Sequence, residues 1–154
     1  YLALADLDSR TSQVANVQLL HPADLPSRAT YAVREGDVIT ATSGASTGTK
    51  KHVSAIIPDR LSNAIVSSGF AVLRARAVSN LQLLGLLRSD SFLRQVYRLR
   101  TGHAIPAIKD SDLVSVLVPP DSDPVWGKWE RLMGKLNEQA EALLAFAEET
   151  RNAD

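Results

Sequence analysis

Apolar positions follow two rhythms along this chain. The longest regular pattern is the last, over residues 124–151. There Trp129, Leu132, Met133, Leu136, Ala140, Leu143, Phe146 and Ala147 recur at spacings of three and four. Such a stripe predicts one long amphipathic helix with a heptad-like seam. Glu and Lys cover its other faces, and Gln139 is the one polar interruption. A helix this long, following a closed unit of strands and helices, reads as one side of a coiled coil that needs a partner helix. The alternative is that it folds back on its own domain.

Before it the rhythm is short and strand-like. Residues 1–7, 31–33, 38–42, 52–57, 64–67 and 70–75 are brief apolar or alternating runs separated by Gly, Pro and small polar residues. They predict a small antiparallel or mixed sheet. Residues 13–20 fit strand or helix equally, and residues 21–30 (HPADLPSRAT) read as loop. Two helices are expected over 80–87 and 91–100. In the second, Ser89 or Asp90 can cap the start, and Phe92, Leu93, Val96 and Tyr97 form one apolar face. Arg94, Arg98 and Arg100 lie off that face. After them come a polar glycine loop (Thr101-Gly102-His103), an apolar turn (AIPAI), a strand expected over 114–118, and a stop at Pro119-Pro120.

The zero net charge conceals a strong asymmetry. Residues 1–49 carry three basic and five acidic side chains, residues 50–109 ten and two, and residues 110–154 four and ten. A basic middle third between acidic ends suits an anionic partner. Solvated helix faces, paired with acids from elsewhere, explain the same arginines equally well. Residues 43–51 (SGASTGTKK) form a flexible polar loop ending in two lysines, whose glycines let backbone N–H groups approach an anion. It is not a P-loop, because three residues separate Gly44 from Gly48 and Thr49 rather than Lys follows. A plain hairpin loop is the alternative.

Catalytic chemistry has no foothold. The chain has no Cys, which removes thiolate nucleophiles, disulfides and Cys-based zinc sites, and which fits a cytoplasmic location. His21, His52 and His103 are not at metal-ligand spacing. No Gly-x-Ser-x-Gly or Gly-x-Gly-x-x-Gly motif occurs, and no run approaches a membrane span. The amino terminus lacks the basic start and long apolar run of a signal peptide. A binding module without cofactor is expected.

Four segments, taken in order, resemble one target-recognition domain and spacer helix of the specificity subunits of type I restriction–modification systems. REGDVITATSGASTGTK resembles the family's Gly-Asp strand and glycine loop, and IVSSGFAVLRAR the strands that follow. LLRSDSFLRQVYRLRTGHAIPAIKDSDLVSVLVPP resembles its helix, second loop and closing apolar segment. The terminal helix takes the place of the conserved-region helix, although DSDPVW stands where the family opens that helix with a Glu-Gln pair.

The resemblance implies an α+β recognition domain over 1–121 and a spacer or dimerisation helix over 122–154. It implies a non-catalytic module that reads one half of a bipartite site in double-stranded DNA. A modification subunit would supply adenine-N6 methylation, and a second helix, from a homodimer partner or another specificity half, would set the spacing. The chain would be a fragment, a half-subunit, or the recognition end of a fused methyltransferase. Lys50, Lys51, Arg74, Arg76, Arg98 and Arg100 are then the expected phosphate contacts. Ser43, Gly44, Thr47, Gly102 and His103 are the expected loop contacts near base edges. Trp129, Leu132, Met133, Leu136, Leu143 and Phe146 would form the helix interface. A protein-interaction adaptor, assembling through the same helix, is the alternative function.

Overall fold

The computed structural model describes residues 1–153. Among these residues, seven short strands form three small antiparallel sheets. β1 (Leu7–Asp8) pairs with β2 (Gln13–Val14), and β3 (Ala29–Ala32) pairs with β6 (Ile65–Ser67). The third sheet is central. In it β4 (Val38–Ala41) lies between β5 (Ser54–Ile56) and β7 (Phe70–Leu73), with Val38 opposite Leu73 and Ala41 opposite Phe70. β4 is buried along its whole length, as a central strand covered on both faces must be.

Two hydrophobic clusters hold these sheets. One gathers Leu2, Leu7, Val33, Ile39, Ile57, Val66 and Phe70 between the small sheets. The other lies on the opposite side of β4 and joins Val38 to α1 (Asn80–Arg88), α2 (Asp90–Leu99) and α4 (Val125–Asn152). Both middle helices start where their caps dictate. The Ser79 hydroxyl accepts from Gln82 N–H while the Gln82 side chain accepts from Ser79 N–H, a reciprocal capping box. Ser89 accepts from Phe92 N–H and so ends α1 and begins α2.

Four expectations change in three dimensions. Residues 1–7 are mostly not strand. Leu2 makes a single bridge to Val66, a short 3₁₀ turn spans Leu4–Asp6, and β1 begins only at Leu7. Residues 64–67 and 70–75, expected as strands of one small sheet, divide between two. The turn at Ser68-Gly69 is divided between sheets, because Ser68 N–H donates to Arg28 and Gly69 C=O accepts from Thr42. Residues 114–118 form no strand. A short helix, α3 (Asp110–Leu113), precedes them, and the backbone of Leu117 is held by the side-chain amide of Gln95, which both donates to it and accepts from it. A side chain thus takes the place of a neighbouring strand, and Val114 and Leu117 stay exposed.

The fourth change concerns α4, whose amino-terminal half folds back on its own domain. Trp126 is buried, meets Trp129 edge to face at 5.1 Å, and donates its indole N–H to Pro120 C=O. Trp129 lies against Gly85 of α1, and a Cβ there would sit 2.6 Å from Trp129 Cγ. Met133 joins the same cluster, and Asn137 accepts from Gln13. Trp129 and Met133, expected to meet a partner helix, are therefore taken up by α1. The heptad pattern had marked an apolar stripe without saying which surface it covers. Leu136 is half-buried, while Leu132, Leu143, Leu144 and Phe146 remain exposed.

Candidate nucleic-acid interface

The loop of residues 43–51 leaves the end of β4 and is shaped from within. Gly44 and Gly48 adopt φ of +103° and +78°, conformations that β-carbon-bearing residues rarely hold. Gly48 has a second requirement, since a Cβ would lie 2.6 Å from the backbone nitrogen of Tyr97 on α2. Beneath the loop sits His52, which is buried. Its Nδ1 accepts from Gly48 N–H at 3.0 Å, so the neutral ring carries its proton on Nε2 and donates to Thr40 Oγ1 at 2.7 Å. Thr40 in turn is 2.7 Å from Ser54 Oγ. Burial pushes the His52 pKa down from 6.5 to about 4, so the ring is neutral near pH 7.

The end of α2 closes over the loop. Arg100 stacks on the Tyr97 ring at 3.8 Å and donates to the carbonyls of Ala45 and Thr47, both at 3.2 Å. The chain then turns back on itself. Thr101 and Ala107 exchange backbone hydrogen bonds, Ala107 also bridges to Ser43, and Gly44 N–H donates to Pro106. The pinched loop between them requires Gly102, at φ of +97°, and exposes His103 and Ile105. The glycine loop, the α2 end and the Thr101–Ala107 loop therefore form one face. It collects Ser43, Gly44, Lys50, Lys51, Arg100, Gly102 and His103, with both lysines exposed.

The other expected contacts lie elsewhere. Thr47 is in the loop but fully buried, facing a recess of about 260 Å³ lined also by Leu4, Ser43 and Lys51. Among the described residues its Oγ1 is the buried side-chain oxygen or nitrogen without a hydrogen-bond partner. Arg74 and Arg76 follow β7 at the opposite end of the central sheet, separated from the loop by the four-residue length of β4, about 14 Å. Arg74 is bound to Asp37 through Nε at 2.8 Å and Nη2 at 3.2 Å. Burial of Asp37 opposes its charge, but this guanidinium and Arg34 N–H hold its carboxyl below the usual range. Arg98 is exposed on a different side of α2, in an open groove with Arg94, Leu117 and Pro119. The basic middle third is also partly structural. Arg88 is half-buried and donates to the carbonyls of Ser9 and Arg10 and to the Ser12 hydroxyl.

Two residues join this face without a signal in the sequence. Arg28 belongs to the acidic first third, yet the pairing of β3 with β6 carries it to the Ser68-Gly69 turn beside Ser43. Ile105, two-thirds exposed at the tip of the pinched loop, sits inside a run that reads as apolar turn. The face thus offers cations, hydroxyls, backbone N–H groups and one apolar tip, a set suited to binding an anionic polymer rather than to bond breaking. Among the described residues no cluster of three or more His, Cys, Asp or Glu is placed to hold a metal ion, and no helix is long and apolar enough to cross a membrane.

No family model and no curated protein sequence matches the chain. Solved structures do. A chain from work on complex assembly and conformational transition of the type I restriction–modification system superimposes with a TM-score of 0.71 at 29% identity, covering 99% of this chain and 37% of that one. The HsdS subunit from Thermoanaerobacter tengcongensis gives 0.67 at 29% identity, covering 98% and 37%. The match runs through the strands, both loops and α4, and this chain spans little more than a third of either neighbour's length. In fold and order of elements the chain is therefore a domain like that of the type I restriction–modification specificity subunit.

Proposed function

We propose that this domain recognises one half of a bipartite site in double-stranded DNA for a restriction–modification or adenine-methyltransferase complex. It does so without catalysis of its own. The observation that carries this reading is the gathering of two glycine loops and the α2 end into one face bearing Lys50, Lys51 and Arg100, on a scaffold shared with HsdS. The lysines supply phosphate contacts that hold register, while Ser43, His103 and Ile105 stand where base edges are within reach. Residues 1–121 form the reading unit. The segment from 122 onward acts as the spacer, although its first turns are built into the domain through Trp126 and Trp129.

Its exposed outer seam, Leu132, Leu143 and Phe146 with half-buried Leu136, pairs with the helix of a second copy or of another specificity half. A methyltransferase subunit supplies the chemistry.

The test is selection of bound duplexes from a random pool at about 50 and 200 mM salt, with the solution mass measured in parallel. It is run on the chain alone and with a cognate methyltransferase subunit. Phosphate-driven binding falls by orders of magnitude across that range. Lys50→Ala with Lys51→Ala should lower affinity for every duplex and reduce the log–log salt slope by about two. An enriched palindrome from a dimer supports helix pairing, and an enriched single half-site from a monomer supports a reader within a longer chain. Absence of enrichment under both conditions would overturn the DNA reading and favour an adaptor that assembles through α4.

A further inference from the structure

Most arginines near the interface are already engaged. Arg100 is bonded to the carbonyls of Ala45 and Thr47 and stacked on Tyr97, so it braces the loop. Arg94 pairs with Asp90 at 3.5 Å, Arg98 faces the groove near Pro119, and Arg74 is bound to Asp37 at the far end of the sheet. Lys50 and Lys51 are free, but each is a point charge without directional preference.

Arg28 differs from these in being both unbonded and beside the glycine loop, since Arg98, also unbonded, faces the groove near Pro119. Its backbone is anchored, since its carbonyl accepts from Ser68 N–H at 2.7 Å and the next residue, Ala29, pairs with Ser67. Its side chain is exposed, and among the described residues its guanidinium makes no hydrogen bond and no ion pair. It extends to the point above Gly69 that Ser43 also approaches. A Cβ on Gly69 would lie 2.9 Å from Ser43 Oγ and 3.2 Å from Arg28 Nη2. The absent Cβ of Gly69 is what leaves room for a planar guanidinium and a hydroxyl side by side at the edge of the glycine loop.

We propose that Arg28 is the guanine-reading residue of this domain, with Ser43 beside it as a second polar contact. The inference rests on the DNA-binding reading and adds to it a residue and a base. A guanidinium presents parallel N–H donors in a fixed fork, and the major-groove edge of guanine presents O6 and N7 as two matching acceptors. Arg28 has that fork unpaired on a backbone already held by pairing with Ser68 and Ser67, and the planar fork presents both donors together.

The experiment compares selections from a random duplex pool for the full chain, Arg28→Lys, Arg28→Ala, and Lys50→Ala with Lys51→Ala. The unchanged chain should enrich a half-site containing a guanine. Arg28→Lys keeps the charge and loses the fork, so preference at that guanine should fall on the order of ten- to a hundredfold while the other positions persist. The lysine pair should weaken all sequences and leave the motif in place. Arg28 supports no other side chain; should Arg28→Ala nevertheless fold poorly, Arg28→Lys decides. A motif unchanged by both Arg28 variants, or one lacking guanine, overturns the assignment while leaving the DNA reading intact. Uniform weakening with no change at any position makes Arg28 a phosphate contact and also overturns it. No enrichment by the unchanged chain, either alone or with the methyltransferase subunit, overturns both.

Discussion

Acidification should destabilise the glycine loop through His52. The ring is neutral in the fold because it is buried, with its pKa lowered from 6.5 to about 4. In the unfolded chain it titrates near 6.5. The unfolded state therefore takes up the proton first as pH falls, and stability must fall with it. His52's contribution is complete above about pH 6.5, declines by about 1.4 kcal/mol per pH unit below it, and is gone near pH 4, a total of about 3 kcal/mol. Geometry explains why protonation is resisted. A proton on Nδ1 would face Gly48 N–H, two donors head to head, and Gly48 cannot retreat because it lies against the Tyr97 backbone.

Asp6 and Asp37 leave this window clear. Burial works against both charges. Hydrogen bonds from Ala3 N–H, Gln18 and Asn16 to Asp6, and from Arg74 and Arg34 N–H to Asp37, nevertheless bring both below 3.8, so their contributions are lost only beneath that pH. The assay is urea unfolding from pH 7 to 4, with the imidazole followed by NMR. His52→Asn keeps an acceptor for Gly48 N–H but has no titrating ring. It should be less stable at pH 7 and should lack the wild-type slope between 6.5 and 4. A folded-state midpoint near 6.5, or an equal slope in wild type and His52→Asn, would refute the reasoning.

Two further outcomes follow from packing. Gly85→Ala should destabilise the chain by about 1–3 kcal/mol in chemical denaturation despite alanine's better helix propensity, because its methyl overlaps Trp129 and must push α4 off α1. Thr47→Val removes a buried hydroxyl that has no partner and replaces it with a group of similar shape, so thermal unfolding should show stability unchanged or raised and DNA binding unaffected. A marked loss of DNA binding in Thr47→Val would mean that the hydroxyl turns outward in the complex.

Local rules settled much of this protein. Caps at Ser79 and Ser89, apolar spacing, and the glycines at 44, 48 and 102 are properties of adjacent residues, so the helices and the loops were legible. The two glycine loops stood out because their composition permits backbone shapes that other residues rarely hold. Strand partners were not legible. Pairing is a competition among distant segments, which is why residues 64–75 divide between two sheets and residues 114–118 rest on Gln95.

The same long-range pairing redistributed the charges. It brought Arg28 to the loop, sent Arg74 and Arg76 to the other end of β4, and turned Arg88 and Arg100 into braces. Side-chain direction along a chain follows from local geometry, but which cations share a face depends on how the strands stack. The stripe on α4 shows the same division. Its spacing gave the helix and its apolar residues, and only the fit of Trp129 onto Gly85 decided which of them face α1 and which remain for a partner.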